Sequence, residues 1–204
     1  MMKIAVLGAG NIGGTIGKKW AAAGHDVVFG VRDVNSPKVR ALLAEISTGA
    51  VAASVAEAAV SADVMLLSIP HGAMAETVRA NAAAMDGKII IDATNKFGAP
   101  VVNNIAVISA AAPNARIYRA FNSLGWEIFA RPQFGETNAD HFYCGPDGEA
   151  RLLVEELISH VGVHPVYVGD LETAPIVDAL GALWVTLALQ RRMGRRLAFK
   201  VLTD

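Results

Sequence analysis

Lys3-Ile4-Ala5-Val6-Leu7-Gly8-Ala9-Gly10-Asn11-Ile12-Gly13 opens the chain as an apolar run that breaks into three spaced glycines. Such a run reads as a strand, and the residues after it, Ile12 to Ala23, read as a helix that Gly24 ends by taking a left-handed conformation. A second apolar strand, Asp26 to Val31, follows at once. In a strand-turn-helix-strand setting each glycine has its own reason. Gly8 permits a tight turn, Gly10 leaves backbone open to a closely approaching group, and Gly13 lets the helix pack on the strand.

The same alternation continues outward. Ser36 and Pro37 suit the cap and first turn of a helix running to Ile46. Ala50 to Ala53, Val64 to Ile69, Lys88 to Asp92 and Ile117 to Phe121 read as further strands, with helices over Val55 to Ser61 and from Pro70 to about Met85. Short apolar runs separated by helices predict a sheet covered on both faces. After Ser123 the rhythm loosens: His141 to Cys144 is a strand following a polar loop at Gly135 to Asp140, Asp147 to Val161 a helix, Pro165 to Val168 extended, and Thr173 to Gln190 a long apolar helix. The expected architecture is α/β: a Rossmann-type, doubly wound, mostly parallel sheet over residues 1–122, with a small C-terminal α+β lobe over 123–204. The absence of a Pro/Gly/Ser-rich hinge predicts that the lobe packs closely.

Composition excludes several classes. A net charge of -1 and a pI near 6.5 offer no overall attraction for nucleic acid or an anionic membrane. The local cluster Arg191, Arg192, Arg195 and Arg196 reads as a solvated helix end, where the dipole favours cations. Charges are expected to interrupt every apolar stretch before spanning length; Asp178 does so between Ile176 and Leu189. The lone Cys144 excludes an internal disulfide and sits among apolar residues as an inert thiol. No signal core precedes the first strand, so a cytoplasmic location is expected. His25, His141, His160 and His164 show no metal-ligand spacing, no metal site is expected, and no serine-hydrolase elbow is present.

The residues left are those at strand ends. Gly8, Ala9, Gly10, Asn11, Ile12 and Gly13 would hold a pyrophosphate on free N–H groups at a helix start. At the end of the second strand, Gly30-Val31-Arg32-Asp33 offers Arg32 where a carboxylate would read a ribose 2'-OH; a guanidinium instead favours a 2'-phosphate, so NADP(H) is expected over NAD(H). Asp33 works against this unless it caps the following loop, and Lys38 adds a second cation. Ser68, Ile69, Pro70 and His71 end the fourth strand, with Pro70 expected near the nicotinamide ribose and His71 either a contact, a proton donor or a helix cap. Asn95 after the fifth strand and Asn122 after the sixth complete one cleft, and His71, Asn95 and Asn122 are its candidate catalytic groups.

On these segments, and on Phe142-Tyr143-Cys144-Gly145 and the ending Met193-Gly194 through Ala198-Phe199-Lys200, the whole chain resembles the coenzyme F420-dependent NADP oxidoreductases and their predicted dinucleotide-binding relatives. The N-terminal half is also similar to the cytosolic NADPH domain of transmembrane ferric reductases. The resemblance implies that the glycine loop holds the pyrophosphate, Arg32 the 2'-phosphate, and that Pro70 lies by the nicotinamide. It further implies hydride transfer between NADPH and a deazaflavin or flavin-like acceptor.

Such a transfer asks mainly for two stacked rings, so no obvious catalytic acid is required. A carbonyl or imine reductase would need a proton donor, often a lysine; beyond Lys96 the chain offers Lys200. A sensor or docking module that binds NADP(H) without turnover would have the same binding residues. The expected partner is a small-molecule redox acceptor, and the Thr173 to Gln190 helix is expected to pair two subunits in a homodimer.

Overall fold

The computed structural model describes residues 1–47 and 49–204. Six parallel strands, β1 (Lys3–Leu7), β2 (Asp26–Gly30), β3 (Ala50–Ala53), β4 (Val64–Leu67), β5 (Ile89–Asp92) and β6 (Arg116–Arg119), form one sheet in the order β3-β2-β1-β4-β5-β6. This is the doubly wound dinucleotide-fold order, with its reversal between β1 and β4.

The strand period of two explains why both faces are covered. Ile4, Val6, Leu66, Ile89 and Ile91 enter one apolar cluster, while Ala5, Leu7, Met65, Leu67 and Ile90 enter the other. Six helices accompany the sheet: α1 (Asn11–Ala22), α2 (Pro37–Ala44), α3 (Val55–Ser61), α4 (His71–Ala80), α5 (Ala82–Met85) and α6 (Ile105–Ala111).

Local chemistry sets their ends. Gly24 takes φ +88° after α1. The Ser36 side chain accepts the Val39 N–H at 3.4 Å, with Pro37 in the first turn. Ser54 and Glu57 form a capping box at α3. The helix expected to reach Met85 breaks at Asn81, whose Nδ2 turns back to the Thr77 carbonyl at 2.8 Å.

Beyond β6 the chain forms α7 (Trp126–Ala130), a small antiparallel pair β7 (Gln133–Phe134) and β8 (Thr137–Asn138), then β9 (Asp140–Tyr143), α8 (Glu149–Val161), β10 (His164–Tyr167) and α9 (Ala174–Val185). A π-helical turn, Thr186–Gln190, extends α9. β9 and β10 pair in parallel, and an antiparallel bridge between Cys144 and Arg119 joins this pair to the edge of the main sheet. α7 and α8 pack on α1, so Phe129, Leu157 and Ile158 share a cluster with Trp20. Cys144 is buried, and burial pushes its thiol pKa up, as an inert thiol requires.

Two expectations are corrected. The helical stretch Leu171–Gln190 is 20 residues long, with a hydropathy of 1.3 and only 28% burial, so it does meet spanning length and composition. Asp178 within it is tied to Arg119, and the Trp184 indole donates to the Leu197 carbonyl at 2.7 Å, fastening one face to the protein. The arginine cluster is solvated at Arg191, Arg192 and Arg195 but only partly at Arg196. Arg195 pairs with Glu127 and lies over the Trp184 ring, and Arg196 donates to the carbonyls of Glu127, Arg131 and Gln133.

Candidate functional site

All six strands of the main sheet are parallel, so their carboxyl ends share one edge, and ligands of such sheets bind where the order reverses. Here that point lies between the exits of β1 and β4. Gly8 leaves β1 at φ +109°, donates its N–H to the Gly30 carbonyl at 3.0 Å, and has no room for a side chain: a Cβ would stand 2.7 Å from the Ser68 carbonyl oxygen. A Cβ on Gly13 would stand 2.2 Å from the Gly8 oxygen and 2.3 Å from Ser68 Oγ. Gly10 differs, since a Cβ there would meet nothing within 4 Å among the described residues. No packing inside the protein calls for glycine at that position. It caps α1 without any side-chain hydrogen bond, and the N–H groups of a helix's first turn have no partners within the helix. The loop therefore offers an open, donor-lined surface suited to a diphosphate.

The exit of β2 lies beside it. Arg32 is exposed, while the Asp33 carboxylate accepts the Asn35 N–H at 2.9 Å and so is occupied in capping the loop. Lys38, at the start of α2, lines a hollow of about 280 Å³ together with Gly10, Asn11, Lys18 and Trp126. Glycine loop and lysine thus meet in one concavity.

Ser68 ties the β4 exit to the loop, its Oγ donating to the carbonyls of Leu7 and Gly8 at 3.1 and 3.2 Å. Ile69 is half-buried and Pro70 exposed. Pro70 precedes α4 without a side-chain cap, and His71 in the first turn caps nothing; its buried Nδ1 has no partner among the described residues.

The exits of β5 and β6 are joined by a buried polar network that sequence reading did not foresee. Asp92 accepts from Thr94 N and Oγ1 at 3.0 and 2.5 Å and from Asn104 N at 2.8 Å. Arg119, fully buried, donates to Asp178 at 2.8 Å and to Asn95 Oδ1 at 2.7 Å. Asn95 in turn donates to the Asn122 carbonyl at 2.8 Å, so most of its amide is spent inside the protein. Asn122 Oδ1 and Ser123 Oγ are buried without partners among the described residues. The only sequence signal for the network was the charge of Asp178 in an otherwise apolar helix.

Phe121, expected at the end of a strand, instead takes φ +59°, a strained conformation for a bulky residue. His141 holds it: the Phe121 N–H donates to His141 Nε2 at 2.6 Å, and the two rings stack at 4.9 Å. Burial lowers the His141 pKa to about 3, so the imidazole is neutral and acts as an acceptor. Turning the chain at Phe121 is what brings Asn122 and Ser123 back over the sheet edge.

Other features lie elsewhere. The larger hollow, about 500 Å³, is bounded by Val60, Asn81 and Lys88 at the amino-terminal edge of the sheet. His25, Glu156 and His160 come within ligand reach of one another, which their spacing in sequence hid. Met2 N–H donates to His25 Nδ1 at 3.3 Å, which places the ring proton on Nε2, facing His160 Nδ1 at 3.0 Å.

Strand order and glycine loop together define a doubly wound fold of the dinucleotide-binding type. Residues 3–96 match the family described as "NADP oxidoreductase coenzyme F420-dependent". An F420-dependent NADP reductase of Methanothermobacter marburgensis is 28% identical, over 94% of this chain and 95% of its own length. The rat metalloreductase STEAP3 is 24% identical over 87% of this chain but only 36% of its own. A crystal structure from Arthrobacter sp. FB24, provisionally described as an F420-dependent NADP reductase, superposes over the full length of both chains with a TM-score of 0.84 at 22% identity. The chain is thus similar to the F420-dependent NADP oxidoreductase family over its N-terminal residues 3–96, and to F420-dependent NADP reductases over most of its length, the resemblance its motifs carried.

Proposed function

We propose that the protein is an NADP(H)-dependent oxidoreductase that moves a hydride between NADP(H) and a deazaflavin or flavin-like ring. The open glycine at position 10, in a loop whose other glycines are demanded by packing, is the observation that carries the reading. The nicotinamide supplies the hydride chemistry. The chain's own part is to bind and orient: residues 8–13 take the diphosphate, Arg32 and Lys38 the 2'-phosphate, and Val31, Ser68, Ile69, Pro70 and His71 the adjoining sugars and ring. Asn95 and Asn122 border the acceptor side. In this reading residues 1–122 bind the dinucleotide and residues 123–204 complete the cleft.

Lys200, the lysine a carbonyl or imine reductase would draw on as proton donor, is committed to Asp140 at 2.6 Å, which supports transfer between two rings instead. We further assign the protein to the cytoplasm as a homodimer, paired through the exposed Ile176, Leu183 and Leu189 of the α9 region.

A charge-assisted hydrogen bond contributes about 1.5 to 3 kcal/mol. Arg32→Ala is therefore expected to weaken NADP(H) binding about tenfold to a hundredfold in calorimetry while leaving NAD(H) nearly unchanged; equal losses refute the assignment. Stopped-flow absorbance of NADPH against deazaflavin, flavins and quinones identifies the acceptor, and binding without oxidation by any of them points to a sensor instead.

A further inference from the structure

We propose that Arg119, through Asp178, is a positioning residue that fixes Asn122 as a pure hydrogen-bond acceptor for the carboxamide NH2 of the nicotinamide. The inference rests on the dinucleotide reading above and deepens it. Arg119 is the last residue of β6, and its side chain is fully buried. Its guanidinium makes four hydrogen bonds: Nε to Asp178 Oδ1 at 2.8 Å, Nη1 to the carbonyls of Asp92 and Thr94 at 3.0 and 2.5 Å, and Nη2 to Asn95 Oδ1 at 2.7 Å. One cation thus fastens the exits of β5 and β6 to α9.

Cohesion alone does not explain this choice. An apolar plug of similar volume holds buried elements at least as well as a buried ion pair. What a planar guanidinium adds is direction. Asp178 Oδ1, held by Arg119, also accepts Asn122 Nδ2 at 3.3 Å, and Asp178 Oδ2 accepts Asn103 Nδ2 at 2.7 Å. Asn95, held by the same guanidinium, donates to the Asn122 backbone carbonyl. The Asn122 amide is therefore pinned by its nitrogen, and its oxygen is the pole left over, without a partner among the described residues and in a residue only 4% exposed. Gly181 of α9 permits the close approach, since a Cβ there would stand 3.1 Å from the Asn122 carbonyl oxygen. A buried acceptor of fixed orientation selects a donor. At this edge of a dinucleotide fold, the nicotinamide carboxamide offers such a donor in its NH2 group.

The test varies Asp178 rather than Arg119, because removing the guanidinium would strand two carboxylates, Asp178 and Asp92, whose Oδ2 lies 3.5 Å from Nη1, and threaten folding. Three ligands are titrated by calorimetry: NADP+, its 3-acetylpyridine analogue, which lacks the NH2, and 2',5'-ADP, which reports the adenine half alone. Native protein is expected to prefer NADP+ over the analogue by about tenfold, the worth of one such bond. Asp178→Leu should abolish that preference and lower kcat about tenfold or more, while 2',5'-ADP affinity stays within about twofold. Asp178→Asn, which keeps an acceptor oxygen, should restore most of both.

The proposal is overturned if native protein binds both dinucleotides equally. It is overturned too if Asp178→Leu keeps the preference, or loses 2',5'-ADP binding as fully as NADP+ binding. Native protein that ignores 2',5'-ADP and NADP+ alike overturns the dinucleotide reading itself.

Discussion

Two stretches of the same sheet edge are built by opposite means. At the exits of β1 and β4 the surface is made of backbone and of missing side chains: Gly8, Gly10 and Gly13, stitched by Ser68 Oγ. At the exits of β5 and β6 it is made of buried polar side chains, Asp92, Arg119, Asn122 and His141, drawn from distant parts of the chain. A surface of backbone amides keeps its charge distribution at every pH, and at Gly8 and Gly13 it tolerates no added volume. A surface of buried ionisable and polar groups is open to redesign by single atoms, and answers to protons.

The largest expected effect tests the first half of that contrast. Gly13→Val places its Cβ against the Gly8 oxygen and Ser68 Oγ and is expected to cost about 3 kcal/mol in urea denaturation, because neither neighbour can retreat without breaking the β4 contact. Gly10→Ala should change stability by less than about 0.5 kcal/mol yet weaken NADP(H) binding. If the two glycines behaved alike, the division between packing and ligand roles would fail.

Protons test the second half. In the folded state the His141 pKa is lowered to about 3 by burial, whereas an unfolded imidazole titrates near 6.5. Above that pH both states are neutral. As pH falls from about 6.5 toward about 3 only the unfolded chain takes up the proton, so the fold loses stability across that window. Between pH 6.5 and pH 5 the native protein should lose about 2 kcal/mol more than His141→Gln, which keeps an acceptor for the Phe121 N–H but does not titrate. Parallel denaturation curves for the two proteins would mean that His141 is not a buried neutral acceptor.

A smaller effect sharpens the comparison. Ser68→Ala removes a hydroxyl bonded to two backbone carbonyls at the loop and should cost about 1 kcal/mol in thermal or urea unfolding. Its loss should be independent of pH from 5 to 8. A pH-dependent deficit would show that the two halves of the edge are not separate.

Much of this was legible in the chain itself. The strand periodicity, Gly24 as a helix stop, Ser36 as a cap and the glycine spacing all act over a few residues, so their physics is visible in a short window of sequence. Asp33 was foreseen as a loop cap for the same reason. The polar network was not legible because its members stand far apart: Arg119, Asp178 and Asn95 meet only after α9 returns to the sheet. His141 meeting Phe121, and His25 meeting His160, were hidden in the same way. The break at Asn81 was missed because a side chain that turns back on its own helix is not distinguished by apolar periodicity.

By itself, then, the sequence determined a parallel sheet wound on both faces and a glycine-built turn after its first strand, since alternating apolar residues and glycine's lack of a Cβ act locally. Only the tertiary structure decided how the far half of that edge is built. Burial makes Arg119 seek carboxylates, and where those carboxylates lie is a property of the folded chain.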